Sequence, residues 1–108
     1  MTRHPRKRAA RAAALETIVV LRLYVAGGAP NSLKAIANLE AICREHLKHG
    51  HKLEVVDVLK HPQRAMAEGV IVTPSLAKLS PLPAANLVGN LSDKEKVLLA
   101  LGLASTVP

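Results

Sequence analysis

The sequence predicts a single α/β domain that starts with a strand, a helix and a parallel second strand, and three observations lead there. The chain has 108 residues, 49% of them hydrophobic, enough to bury about two-thirds of the unfolded surface in one independent core. Residues 17–25, Thr-Ile-Val-Val-Leu-Arg-Leu-Tyr-Val, form a β-branched run that is apolar on both faces at its start, as a central strand is. After a Gly27-Gly28-Ala29-Pro30 break, apolar residues recur at three- and four-residue spacing, and a second apolar run follows at 53–59. A helix between two such runs makes a parallel crossover the natural connection.

The elements follow in order. Asn31 or Ser32 is positioned to cap the first helix, whose inward stripe reads Leu33, Ile36, Leu39, Ile42, Cys43 and Leu47 and which ends at Lys48, His49 and Gly50. Pro62 opens a short helix that Gly69 closes. Residues 70–73, Val-Ile-Val-Thr, read as a strand, with Pro74 forcing Thr73 into extended backbone. A loop at Ser80-Pro81-Leu82-Pro83 leads to a short strand over 86–91. Ser92-Asp93-Lys94-Glu95 has the form of a capping box, opening a last helix with Val97, Leu98, Leu101 and Leu103 inward. Strand, helix, strand, short helix, strand, strand, helix is the arrangement of a thioredoxin-like α/β domain.

Composition excludes several functions. Lys and Arg number 15 against 8 acids, yet five of the basic residues, Arg3, Arg6, Lys7, Arg8 and Arg11, sit in residues 1–14, where there is no acid. Residues 1–14 are therefore expected to be a basic, poorly ordered extension, an electrostatic arm or a targeting signal. Residues 15–104 form the domain and 105–108 a frayed tail. Tyr24 is the single aromatic residue, which removes the stacking platform of single-strand nucleic-acid binders. Nucleic acid is not an expected partner of the domain. The longest apolar runs, such as 18–21 and 97–101, fall far short of the ~20 residues a membrane helix needs.

Chemistry is equally constrained. One cysteine, Cys43, on the buried stripe of the first helix, permits neither a disulfide nor a redox pair, and a reducing cytoplasm is its simplest home. In a thioredoxin-like fold the turn after the first strand holds the redox cysteines; here it reads Gly28, Ala29, Pro30 and Asn31. His46, His49, His51 and His61 have no metal-ligand spacing, and Gly50 interrupts them. Glu40, Glu45, Glu54, Asp57, Glu68, Asp93 and Glu95 are scattered along the chain. Asp57, inside an apolar strand, is expected to hydrogen-bond or cap rather than catalyse. No catalytic residue, cofactor or metal site is expected. Shape without the chemistry points to a binding module.

Whole segments carry a further signal. Residues 21–27 (Leu-Arg-Leu-Tyr-Val-Ala-Gly), Pro30-Asn31-Ser32, residues 56–60 (Val-Asp-Val-Leu-Lys) and Pro62-Gln63 are followed by residues 73–78 (Thr-Pro-Ser-Leu-Ala-Lys) and Pro81-Leu82-Pro83. Residues 88–92 (Val-Gly-Asn-Leu-Ser) and 94–98 (Lys-Glu-Lys-Val-Leu) complete the series. In this order and spacing the chain resembles the circadian clock protein KaiB family over residues 17–103. The resemblance implies a non-enzymatic regulator that interconverts between a self-associated ground state, a tetramer or dimer, and a thioredoxin-like monomer. It implies docking of the switched form on the ATPase ring of a KaiC-like hexamer, with a KaiA-like protein or a SasA-like histidine kinase as further partners. By the same resemblance Gly89, Asn90 and Pro74 are fold-switch positions, Gly89→Ala being expected to favour the thioredoxin-like monomer, and Lys34, Lys60 and Arg64 are partner-binding positions. Asn90 stands where the family commonly has Asp, Ala85 and Asn86 replace a basic pair, an acidic tail is missing and the basic leader is added. Those departures keep open a KaiC-independent stress-response or signalling interaction protein on the same fold.

Overall fold

The computed structural model describes residues 18–103. The basic extension 1–14 and the tail 105–108 expected from the sequence lie outside the described residues. The elements are β1 (Val19–Val25), α1 (Pro30–His46), β2 (His51–Asp57), α2 (Pro62–Ala67), β3 (Ser75–Ser80), β4 (Ala85–Val88) and α3 (Lys94–Ala100). They form one sheet in the order β2-β1-β3-β4. β1 is parallel to β2, with Val19 opposite His51 and Val25 opposite Asp57. It is antiparallel to β3, which is antiparallel to β4.

The period-two alternation of β1 separates two faces. Val19, Leu21, Leu23 and Val25 are all buried in the main core, together with Leu39, Ile42 and Cys43 of α1 and Val97 of α3. That face is therefore covered by α1 and α3. The opposite face carries Arg22 and Tyr24, and among the described elements only α2 lies over it, contributing one buried residue, Ala65. The sheet is thus thickly covered on one side and thinly on the other.

Several local expectations are corrected. Neither Asn31 nor Ser32 caps α1: Pro30 occupies the first turn behind Ala29, where its missing N–H has no cost. Ser32 turns inward instead, 1% exposed, and its Oγ accepts a hydrogen bond from the Ala26 N–H at 3.0 Å. The buried stripe consequently runs through Ala35, and Leu33 is exposed. β2 ends at Asp57 and leaves Leu59 outside, 70% exposed.

The third strand is displaced most. Residues 70–73 are not a strand, and Ile71 is 92% exposed. β3 begins after the cis Thr73–Pro74 bond. Ser80–Pro81 and Leu82–Pro83 are cis as well. β-branched side chains favour strands where a pleated, half-buried surface receives them, and residues 70–73 are spent instead on returning the chain from α2 to the sheet. β3 holds one extra residue, Leu79, where the pairing with Val20 and Leu21 shifts register. Lys78 points to the core face beside Leu76 and is 5% exposed. Its Nζ reaches toward Gly102, at the C-terminal end of α3, where helix carbonyls favour a cation. β4 stops at Val88 rather than 91. Asp93, not Ser92, is the N-cap of α3, its Oδ1 accepting from the Lys96 N–H at 3.3 Å. Leu103 is 40% exposed rather than inward.

Candidate protein-interaction surface

The parallel pairing of β1 and β2 places their C-terminal ends, and the two turns that follow, at one end of the sheet. Asp57 ties those turns together: its Oδ1 accepts from the Gly27 N–H at 3.0 Å and the Leu59 N–H at 2.9 Å. These backbone donors, Leu59 first, hold the Asp57 carboxyl below the usual carboxylate range. The expected hydrogen-bonding role of Asp57 is therefore the observed one. Lys34, on the first turns of α1, and Lys60, in the turn after β2, are both exposed at this end. The turn between β1 and α1 contains no sulfur. Cys43 is 2% exposed inside α1, and burial raises its thiol pKa, the opposite of what a reactive thiol needs.

Arg64 is placed differently. On α2 it faces the thinly covered side of the sheet, where its Nη1 and Nη2 each donate to Glu54 at 2.7 Å and its Nε donates to Glu68 at 3.0 Å. Arg22 donates to the same two carboxylates, at 2.9 Å to Glu54 and 3.2 Å to Glu68. The Tyr24 hydroxyl donates to Glu68. The Arg64 and Arg22 guanidinium groups hold the Glu54 carboxyl down at about 2, while Tyr24 and then Arg64 lower that of Glu68. Sequence reasoning missed this cluster. Its local signals were the four-residue spacing of Arg64 and Glu68 and a charge at the centre of each of two apolar strands, Arg22 and Glu54, which the register sets directly opposite.

The three fold-switch candidates meet at the same end of the sheet, on the side away from β2, because Tyr24 pairs with Ser75 and Ser75 with Val88. Gly89 follows β4 with φ +119 and donates its N–H to the Pro74 carbonyl at 2.9 Å. Asn90 accepts on its carbonyl from Asn38 of α1 at 2.9 Å, and its Oδ1 accepts from the Ser92 N–H at 3.0 Å. Next in line, Leu91 adopts φ +64, which costs a non-glycine residue roughly 1–2 kcal/mol. Leu91 is nevertheless 5% exposed, and burying its side chain returns about 1.5–3 kcal/mol, so packing outweighs torsion by a narrow margin. A Cβ at Gly89 would meet nothing within 4 Å, but its φ strains any L side chain. Gly89→Ala therefore costs this fold by itself. A shift toward the thioredoxin-like state requires the other packing to be strained more.

Among the described residues no group of three or more His, Cys, Asp or Glu side chains is arranged to hold a metal. No helix there is long and apolar enough to cross a membrane. An open groove of about 650 Å³ runs along the thin face, lined by Tyr24, Val70, Ile71, Val72, Leu79 and Val88 among others.

Comparison with known proteins gives the family and the fold. The chain is 48% identical to the circadian clock oscillator protein KaiB of Microcystis aeruginosa over 84 residues, 78% of this chain and 81% of that protein. It is 46% identical to the KaiB protein of Synechococcus elongatus, over 78% and 82%. Among solved structures, the N-terminal domain of Synechococcus elongatus SasA superposes with a TM-score of 0.65 at 23% identity, covering 84% of this chain and 90% of that one. The Drosophila thioredoxin Deadhead superposes with 0.63 at 15% identity over 93% of each. The fold is a single thioredoxin-like α/β domain, as expected from the element order. The KaiB domain family model matches residues 22–103, from the central strand to the end of the last helix, and the chain belongs to the KaiB family.

Proposed function

We propose that this chain is a clock-type regulatory protein that acts by binding, not catalysis: in its thioredoxin-like fold it docks on the ATPase ring of a KaiC-like hexamer and modulates that enzyme's cycle. The observation that carries the reading is a KaiB-family domain in the thioredoxin-like arrangement whose β1–α1 turn, Gly27-Gly28-Ala29-Pro30, has no thiol chemistry to perform. Lys34 and Lys60, together at one end of the sheet, are the docking cations. Arg64 serves docking only after its carboxylate partners release it. A SasA-like kinase, whose N-terminal domain has the same shape, competes for the ring, and a KaiA-like protein is a further partner. The setting is the bacterial cytoplasm.

Interconversion with a self-associated tetramer or dimer belongs to the same proposal. Eight of the twelve exposed large apolar side chains among the described residues fall after residue 61, Ile71, Leu82 and Met66 the most exposed of them. The C-terminal half therefore leaves much apolar surface for a second packing, and the strained hinge at Gly89 to Leu91 joins two of its elements. Two packings separated by a few kcal/mol suffice for switching. A docking-competent state populated at about 1% would weaken apparent affinity about 100-fold.

The test is size-exclusion chromatography with light scattering on the chain alone and with the KaiC homologue of the same genome plus ATP, sampled over hours. A free oligomer that slowly yields a large co-eluting complex is the expected result. Absence of a complex at every time point overturns ring docking. It would favour the KaiC-independent interaction protein, consistent with Asn90, Ala85 and Asn86 departing from the family pattern.

A further inference from the structure

The thin face of the sheet raises a question of adhesion. α2 has six residues, no side-chain N-cap and one buried residue, Ala65. A helix this short has no stability of its own in water. Beyond the buried Ala65, the side-chain hydrogen bonds and ion pairs that tie it to the sheet among the described residues are those of the charged cluster. Four of the cluster's hydrogen bonds join α2 and its C-cap Glu68 to the sheet: the two from Arg64 to Glu54, and those from Arg22 and Tyr24 to Glu68. The remaining two, Arg22 to Glu54 and Arg64 to Glu68, brace each side internally.

The geometry is that of a closed ring with zero net charge. Two guanidinium groups alternate with two carboxylates, and the Arg64–Glu54 contact is the bidentate fork in which arginine gains most over lysine. Among the described residues no other charged side chain bonds to the ring: β1 contributes Arg22 and Tyr24, β2 contributes Glu54, α2 contributes Arg64 and its C-cap Glu68, and the adjoining residues 70–73 and 75–77 carry no ionisable group. Removing one carboxylate leaves two facing cations with a single anion. The side chains are between 24% and 47% exposed, so dissolved ions reach and screen them.

We propose that Arg22, Glu54, Arg64 and Glu68 form an electrostatic latch that holds α2 against the sheet, and that high salt releases residues 62–70 while β1 and its neighbours stay folded. The latch makes this segment the ion-sensitive element of the domain. It stands apart from ring docking, because every readout below is taken on the free chain.

Four backbone amides report the closed helix: Ala65 donates to His61, Glu68 to Arg64, Gly69 to Met66 and Val70 to Ala65. The experiment compares hydrogen-exchange protection of these amides with that of β1 amides in the full chain, by NMR at neutral pH. Glu54→Gln or Arg64→Met is expected to lower protection at the four amides roughly three- to tenfold, with β1 unchanged. The double variant should be no worse than the worse single one, since either change opens the same ring. Glu45→Gln, which breaks the separate exposed pair with Lys94, should leave all of them unchanged. Raising NaCl to 1 M on the unaltered chain should reproduce the loss, which covers the case of a variant that does not fold, and salt should have little effect in the double variant. Unchanged protection at the four amides, a parallel loss in β1, or additive single effects would each overturn the latch.

Discussion

Ser32→Ala isolates what holds the β1–α1 turn in shape. Ser32 is 1% exposed and its Oγ takes the Ala26 N–H at 3.0 Å, at the point where the chain leaves the central strand for α1. Alanine fits the space but accepts no hydrogen bond, so a partly buried backbone N–H loses its partner at a cost of about 1–3 kcal/mol. Against that, alanine is the better helix former by roughly 0.5 kcal/mol. The net destabilisation is about 1–2 kcal/mol, and since each kcal/mol lowers Tm by about 4–8 °C in a domain of this size, the drop is about 5–15 °C. Thermal unfolding by circular dichroism reads the first effect, and NMR hydrogen exchange at the Ala26 amide reads the second. A Tm within about 2 °C of the unaltered chain, with the Ala26 amide equally protected, would refute the assignment of Ser32 as the acceptor that fixes this turn.

Other outcomes follow from the same contacts. Asp93→Ala should cost about 1 kcal/mol in urea unfolding as a lost N-cap, while Ser92→Ala should be near neutral; the reverse order would restore Ser92 as the cap. Leu39→Ala, at a position with no exposed surface between α1 and the sheet, should cost about 2–5 kcal/mol by the same assay. Cys43 should react with a thiol reagent far more slowly in the native chain than in denaturant, because burial both covers it and raises its pKa. Glu54 titrates at about 2 when folded against 4.5 ordinarily, a depressed pKa, so its stabilisation is complete above about 5 and is lost as pH falls toward 2. Urea midpoints measured across that window should decline less steeply in Glu54→Gln than in the unaltered chain.

The parts of this fold that the sequence makes legible are those with long, regular patterns. The seventeen residues of α1 and the flanking runs of β1 and β2 carry enough periodic positions to fix type and direction, and the crossover follows from them. Residues 70–73 mislead because their β-branched character is a local preference, whereas strand formation is settled by which segment finds β1 as a neighbour. The segment that does, Ser75–Ser80, carries Lys78 at a core-facing position, which no hydrophobic pattern anticipates. At the candidate site, the turn without cysteine and the lysines beside it are visible in the chain. The charged cluster is not, because Glu54 and Glu68 look like scattered acids until the pairing of β1 with β2 and the placement of α2 bring them to one pair of arginines. Arg64, which the family resemblance makes a partner-binding position, is engaged in this fold at all three guanidinium nitrogens, partners that the sequence does not announce.

The position of β1 also dictates an order of assembly. Its parallel partner is close along the chain, with Val25 opposite Asp57, while its antiparallel partner arrives later, with Tyr24 opposite Ser75. Contacts that close shorter loops form with less entropy lost in the transition state. The β1–α1–β2 unit is therefore expected to supply the folding nucleus, and β3 to add to a template already half built. Substitutions at Leu23 and Ile42 should then slow refolding, whereas one at Leu76 should chiefly accelerate unfolding. A newly synthesised chain emerging from the ribosome would present the first half as a partial sheet, with one side of its founding strand open until the last third of the sequence arrives.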